Sequence, residues 1–414
     1  MDSSVEPAPC RETFGTRLRV HRRRWLVLAT IAFVGGMVTG VWYWRRPDVW
    51  YRCGVEAIAR GDLKRLQQAA GVLQGRAPGS ARANLLLGAV ALRDNNPSRA
   101  LELLEAAVKE PETQTAAEIL GGEALCRLQA YDSAIVILEQ AVRRLPEHAD
   151  AHRWLAVAYF DIGAMSQTIT HLQRVAELDA VDPRPHRMIG QIYADAENHK
   201  QAVEAYQAAL ERSRAHPGVY EDELLFDLAL SQLKLHRYAD VLATLQGAPA
   251  TPEFRILEAE VLYGQGNAAE ARRIVEATPD RGNDPRALAL EGIMALDARE
   301  TQQAIDCLGR AVALRPYEFE TRFKLARALT QAGKDERARV EFEEVERIKR
   351  IRFEFSNLLR EAQKRPADAD LRYRLGVLCE ELRRPELARK WYRAALGVAP
   401  RHAPAQRALD KLSS

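Results

Sequence analysis

Residues 149–182 read ADAHRWLAVAYFDIGAMSQTITHLQRVAELDAVD. Apolar side chains at Leu155, Tyr159 and Leu172 recur at helical spacing, and Asp161-Ile162-Gly163 interrupts them. The stretch therefore predicts two short helices joined by a tight turn. Helices linked so closely must lie antiparallel, and their axes approach only where side chains are small. Ala156, mid-way along the first helix, supplies such a place.

The pattern continues in both directions. Gly54, Gly88, Gly122, Ala156 and Gly190 stand 34 residues apart. Ala100, Ala134, Thr168 and Ala202 follow four of them by 12 residues, and Ala107, Ala141, Val175 and Ala209 come seven later. Pro146, Pro316 and Pro400 follow second helices, where proline ends one helix or opens the next. A three-point register held over four periods marks an internal repeat, in which no hairpin can bury its apolar face except by stacking on its neighbours.

With their small eighth residue, aromatic eleventh, glycine near the turn, alanines further on and closing proline, the units resemble the tetratricopeptide repeat. Leu155-Ala156, Tyr159 and Gly163 carry the likeness in one unit, and Ile189-Gly190, Tyr193, Ala202, Tyr206 and Ala209 in the next. Gly292, Ala304, Leu308, Ala311 and Pro316 fit closely, as do Gly376, Ala388, Tyr392, Ala395 and Pro400, while weaker copies centre on Ala229, Ala259 and Ala326. The resemblance covers ten units from about residue 48 to the end, and implies an all-α, right-handed superhelical solenoid of antiparallel helix hairpins.

The spacing departs from 34 at three places. Gly190 to Ala229 is 39 residues, Ala229 to Ala259 is 30, and Ala326 to Gly376 is 50. The expected organisation is a regular array over 48–213, less regular repeats over 214–347, an extra helix over 348–365, and a final repeat with a capping helix over 366–414.

Before the repeats, Trp25 to Trp44 runs WLVLATIAFVGGMVTGVWYW without a charge. At about 1.5 Å per residue this matches the ~30 Å hydrocarbon core of a bilayer. Arg22, Arg23 and Arg24 precede it and Trp42, Tyr43 and Trp44 close it, which predicts a transmembrane signal-anchor helix at 25–44 behind a short basic cytoplasmic tail, 1–24. The bulky residues at its end disfavour cleavage as a signal peptide. The excess of Arg before the span puts the N-terminus in the cytoplasm and the repeats outside it, in the periplasm of a bacterial inner membrane. Gly36-x-x-x-Gly40 would allow two such helices to approach as a weak homodimer.

Formal net charge is +3, and residues 1–46 hold eight Arg against Asp2, Glu6 and Glu12. The remaining body has no basic excess, so nucleic acid is not an expected partner. Five scattered cysteines without C-x-x-C form neither a disulfide framework nor a zinc site. No phosphate-binding loop, nucleophile elbow or H-E-x-x-H is present. Gly264-Gln-Gly266 falls in a repeat turn rather than after a strand, and His148 and His152 straddle a helix start without a third ligand. The chain is thus expected to be no enzyme and to hold no cofactor or metal.

Surface recognition remains. In the family that the units resemble, the first helix of each hairpin lines a concave groove. Carried over by position, that groove would show Ile119, Glu123, Arg153 and Val157, then Arg187, Gln191, Phe226 and Leu230. It would continue through Ile256, Glu260, Ile293, Phe323 and Arg327. The paired Lys and Asn with which some members hold a C-terminal carboxylate are missing: Arg187 and Gln191 come nearest, and Asp227 has the opposite charge. The expected role is a membrane-tethered protein-protein interaction scaffold in an envelope assembly such as secretion, polymer export or cell-wall synthesis. The alternative is an adaptor regulating a membrane protease or biosynthetic enzyme.

Overall fold

The computed structural model describes residues 46–215, 221–365 and 368–413. The candidate span at 25–44, its flanking tail and Gly36/Gly40 lie outside the described residues. Among those described, no helix is long and apolar enough to cross a membrane.

Among the described residues there are 21 α-helices, one short 3₁₀ turn and no strand. They form two compact units, divided after Leu120. The first holds α1 (Pro47–Arg60), α2 (Leu63–Arg76), α3 (Ala81–Arg93) and α4 (Pro97–Val108). Helix α5 (Pro111–Arg127) leads into the second, where α6 (Tyr131–Arg144), α7 (Ala149–Asp161), α8 (Met165–Leu178), α9 (Arg184–Asp195) and α10 (His199–Ala215) continue the array. There follow α11 (Glu221–Lys234), α12 (Tyr238–Leu245), α13 (Pro252–Gly264), α14 (Ala268–Ala277), α15 (Pro285–Asp297) and α16 (Thr301–Leu314). The chain ends with α17 (Phe319–Gln331), α18 (Asp335–Lys364), α19 (Ala369–Glu381), α20 (Pro385–Val398) and α21 (Ala403–Ser413).

Local chemistry sets the ends of these helices. Asp62, Ser80, Asn96, Asn267, Asp284 and Asp368 cap helix starts by accepting a backbone N–H from two or three residues on. Proline opens α1, α4, α13, α15 and α20, where its missing N–H costs nothing. The turn inside every hairpin has one geometry. Gly61, Asn95, Gln129, Gly163, Glu197, His236, Gly266, Arg299, Gly333 and Arg383 all take positive φ, between 54° and 88°. In each case the N–H of the following residue returns to a carbonyl five residues back, at 2.8–3.0 Å, as Ala164 does to Tyr159. This is the left-handed helix stop that satisfies orphan carbonyls.

The hairpins close around their small residue. A Cβ on Gly88 would lie 2.8 Å from Cγ and Cδ2 of Leu104, and one on Gly292 would lie 2.6 Å from Cγ of Leu308. Gly190 and Gly376 take the rings of Tyr206 and Tyr392 in the same way. Sequence spacing pairs Gly88 with Ala100. The structure instead places Leu104, four residues further along α4, over the glycine, with Ala100 offering only its carbonyl at 3.5 Å.

The residues in excess of the repeat do not make a separate element. Residues 348–365, read from sequence as an extra helix, are the distal half of the 30-residue helix α18 and its C-cap Arg365. Ala338 and Phe342 join the core of α15–α17, while Ile348, Ile351, Leu358 and Ala362 join that of α19–α21.

Gly88→Leu should overfill the α3–α4 contact, since Leu104 is 2% exposed, at a cost of about 1–3 kcal/mol or more. The check is thermal unfolding followed by circular dichroism, and an unchanged midpoint would refute this packing.

Candidate functional site

Four of the five charged groove candidates, Glu123, Arg153, Arg187 and Glu260, are engaged by their own chain. Glu123 is buried and ion-paired with Arg127 at 2.6 Å. Arg153 pairs with Asp150 and lies 3.6 and 3.7 Å from Asp179 and Asp182. Arg187 reaches forward to α11, donating to Glu223 at 3.2 Å and Asp227 at 3.4 Å. Glu260 accepts both arms of Arg286 at 3.0 and 2.6 Å, and that guanidinium stands 5.8 Å from the Phe226 ring. An anionic tail would have to displace these partners, so Arg187 and Gln191 are not a ready carboxylate clamp.

The remaining candidates, apolar except for Gln191 and Arg327, divide. Ile119 and Ile256 are buried in the packing, at 5% and 1% exposure. Val157, Phe226, Leu230 and Ile293 are half-buried, and Gln191 and Arg327 are exposed. Phe323 is 41% exposed, its ring edge-on to Phe342 with centroids 5.8 Å apart. What stays open on the first helices is therefore a mainly apolar surface whose charges are internally neutralised except at Arg327.

His152 is not set for a metal. Its Nε2 lies 3.0 Å from the Pro146 carbonyl and its Nδ1 lies 2.9 Å from Nδ1 of His171. With Nε2–H donating to the carbonyl, the neutral His152 accepts from His171. Burial, with the neighbouring His152, pushes His171 down to about 4. Burial likewise pushes the Cys126 and Cys379 thiols up to about 12, the reverse of a nucleophile's requirement.

Sequence reasoning missed a second site. Helix α20 packs against the α5–α6 and α7–α8 turns, far from its place in the array. Arg372 on α19, fully buried, donates from Nε to the Ile162 carbonyl and from Nη1 to that of Asp368 at 3.1 Å. The Trp391 ring covers Gly163 so tightly that a Cβ there would collide with it, and a Cβ on Gly397 would lie 3.1 Å from Ile162. Lys390 stands 5.4 Å from the Phe160 ring, and Arg352 of α18 pairs with Glu197. Burial raises the Asp161 carboxyl, against the hydroxyl of Tyr131 and the charges of Lys390 and Arg393. Between these walls lies a cavity of about 430 Å³, lined by Phe160, Ile169, Tyr193, Phe355 and Trp391, with Asp161, Asp195, Arg384 and Lys390 also at its walls. No local motif announces the contact; only the basic face of α20 hints at it.

Three family models described as "Tetratricopeptide repeat" match residues 56–116, 127–192, 188–216, 290–350 and 354–404. No curated protein matches. Among solved structures, the MamA protein is 22% identical over 41% of this chain and 92% of its own, with a TM-score of 0.33. A tetratricopeptide repeat protein from Parabacteroides merdae is 13% identical over 60% and 98%, with a TM-score of 0.39. The APC/C hetero-tetramer Cut9–Hcn1 is 14% identical over 97% of each chain, with a TM-score of 0.34.

The histidine pair makes stability depend on pH. Unfolded imidazoles protonate near 6.5 while folded His171 resists to about 4, so the unfolded chain takes the proton first. Stability should be full above about pH 6.5 and decline from there toward about pH 4. Urea unfolding at a series of pH values checks this, and His171→Phe, which keeps a ring against Tyr159, should flatten the slope.

Proposed function

We propose that this chain, which belongs to the tetratricopeptide-repeat family, is a membrane-tethered scaffold that recruits a protein partner through an apolar segment laid along the first helices of its hairpins. The observation that carries the reading is the internal pairing of four of the groove's five charges. With Arg153, Arg187 and Glu260 committed within the array, recognition falls to Phe226, Leu230, Ile293 and Phe323. An amphipathic helix or extended apolar strip fits such a surface, with side chains spaced to meet successive units. The reading includes no catalytic step, since no convergent nucleophile, base and acid accompany these residues.

The tether rests on the uncharged run Trp25–Trp44 and its flanking arginines. In sequence, only Arg45 and Arg46 separate it from α1, which begins at Pro47. A partner bound there would be held close to the bilayer at raised effective concentration. The positive-inside bias supports repeats on the outer side of a bacterial inner membrane, serving an envelope assembly.

In crosslinked native membranes, the full chain should retain a defined partner that Phe323→Glu with Leu230→Glu loses, while the helical dichroism is unchanged. Retention of the same partner by the double variant would refute the groove reading. Separately, sodium carbonate should extract a chain lacking residues 1–46 but not the full chain; extraction of both would refute the anchor.

A further inference from the structure

In a solenoid each repeat touches only its neighbours. The bond from Arg372 to the Ile162 carbonyl joins residues 210 positions apart, so one end of the second unit is folded onto the edge of another part of it. The seated element is α20, PELARKWYRAALGV. Its Ala388, Tyr392 and Ala395 pack within their own hairpin, and Trp391 is buried over Gly163. Lys390 and Arg393 are exposed. The receiving face is built from the α7–α8 turn and the end of α9, with Phe160, Ile169 and Tyr193 as its apolar floor and Asp161 and Asp195 at its margin. A basic amphipathic helix with an aromatic anchor thus sits on an acidic-edged apolar face.

The junction is incompletely finished. Arg372 Nη2 and Trp391 Nε1 are buried without a hydrogen-bond partner, and the cavity of about 430 Å³ remains between the walls. Unsatisfied donors and missing contact atoms both weaken an interface, so this seam holds less firmly than its buried aromatic anchor alone would suggest.

We propose that the face formed by α7, α8 and α9 is a docking surface for a basic amphipathic helix with an aromatic anchor, that α20 occupies it within the same chain, and that release of α20 opens it to a partner helix of that chemistry. The surface lies at the turn edge of the hairpins and stands independently of the groove reading.

The probe is a fluorescent peptide of residues 385–398, stapled between solvent-facing positions, because so short a helix is marginal alone. Its anisotropy is titrated with the full-length protein. Wild type, with the face already covered, should bind it at least about tenfold more weakly than Lys390→Glu/Arg393→Glu, a gap of about 1.4 kcal/mol. Both replaced residues are exposed, so the helices should survive, as an unchanged far-ultraviolet dichroism spectrum at room temperature would show, while release of the seam should lower the melting midpoint. Lys390→Glu alone should move affinity in the same direction by less. Adding Asp161→Lys and Asp195→Lys to the released variant should abolish binding. No gain in either folded variant, or binding that survives loss of the two aspartates, would overturn the proposal.

Discussion

The array depends on one close approach, repeated along the chain: a residue without a bulky side chain on the first helix of a hairpin, lying under a leucine or tyrosine of the second. Gly88 under Leu104, Gly122 under Leu138, Gly190 under Tyr206, Gly292 under Leu308 and Gly376 under Tyr392 are versions of the same contact. It fixes the separation of the two helix axes, and thereby which flanks are left to stack on the next hairpin. Because dispersion falls steeply with distance, a methyl group added there is felt along both helices. Gly54 is the exception that shows the rule's reach: it meets Leu86, on the first helix of the following hairpin. The same small residue can thus set the spacing between hairpins as well as within one.

The register of this contact was legible without coordinates because it is periodic, and its irregularities were equally so. Intervals of 39, 30 and 50 residues between the small residues reappear between the turn residues Glu197, His236 and Gly266, and again between Gly333 and Arg383. Backbone geometry of the turn was only partly legible. Glycine marks it at Gly61, Gly163, Gly266 and Gly333, but Asn, Gln, Glu, His and Arg occupy the same left-handed conformation elsewhere. Stacking on both sides holds those side chains in a conformation that costs roughly 1–2 kcal/mol for an L-residue. Local propensity yields to tertiary context, and a search for turn glycines alone finds fewer than half of the turns.

The groove was legible in position but not in charge. Arg187 and Glu260 each find their partners on the adjacent unit, 26 to 40 residues away in sequence. Which arginine meets which carboxylate depends on the rotation between stacked hairpins, and no single-unit pattern encodes that rotation. The length of α18 was hidden for a related reason. Nothing in Asp335–Lys364 stops a helix, so sixteen additional residues lengthen it instead of starting a new element. One face of that helix then serves two cores, one with Ala338 and Phe342 and the other with Ile351 and Leu358.

That shared helix has a consequence for how the second unit holds together. An open repeat array is stabilised by nearest-neighbour terms, so its ends fray and its middle responds little to a distant change. Here α18 carries the last hairpin away from the regular path, and α20 returns to the α7–α8 turn through Trp391 and Arg372. Once the chain closes on itself, opening any one interface between α7 and α20 also strains the seam, which couples hairpins that are not sequence neighbours. Coupling of this kind makes the closed form more cooperative than the sum of its repeats, yet the coupling passes through a junction with two unsatisfied donors and a cavity. The second unit is therefore tied together through an incompletely packed contact, so a modest binding energy spent at the turn edge can reach the hairpins on both sides of the seam.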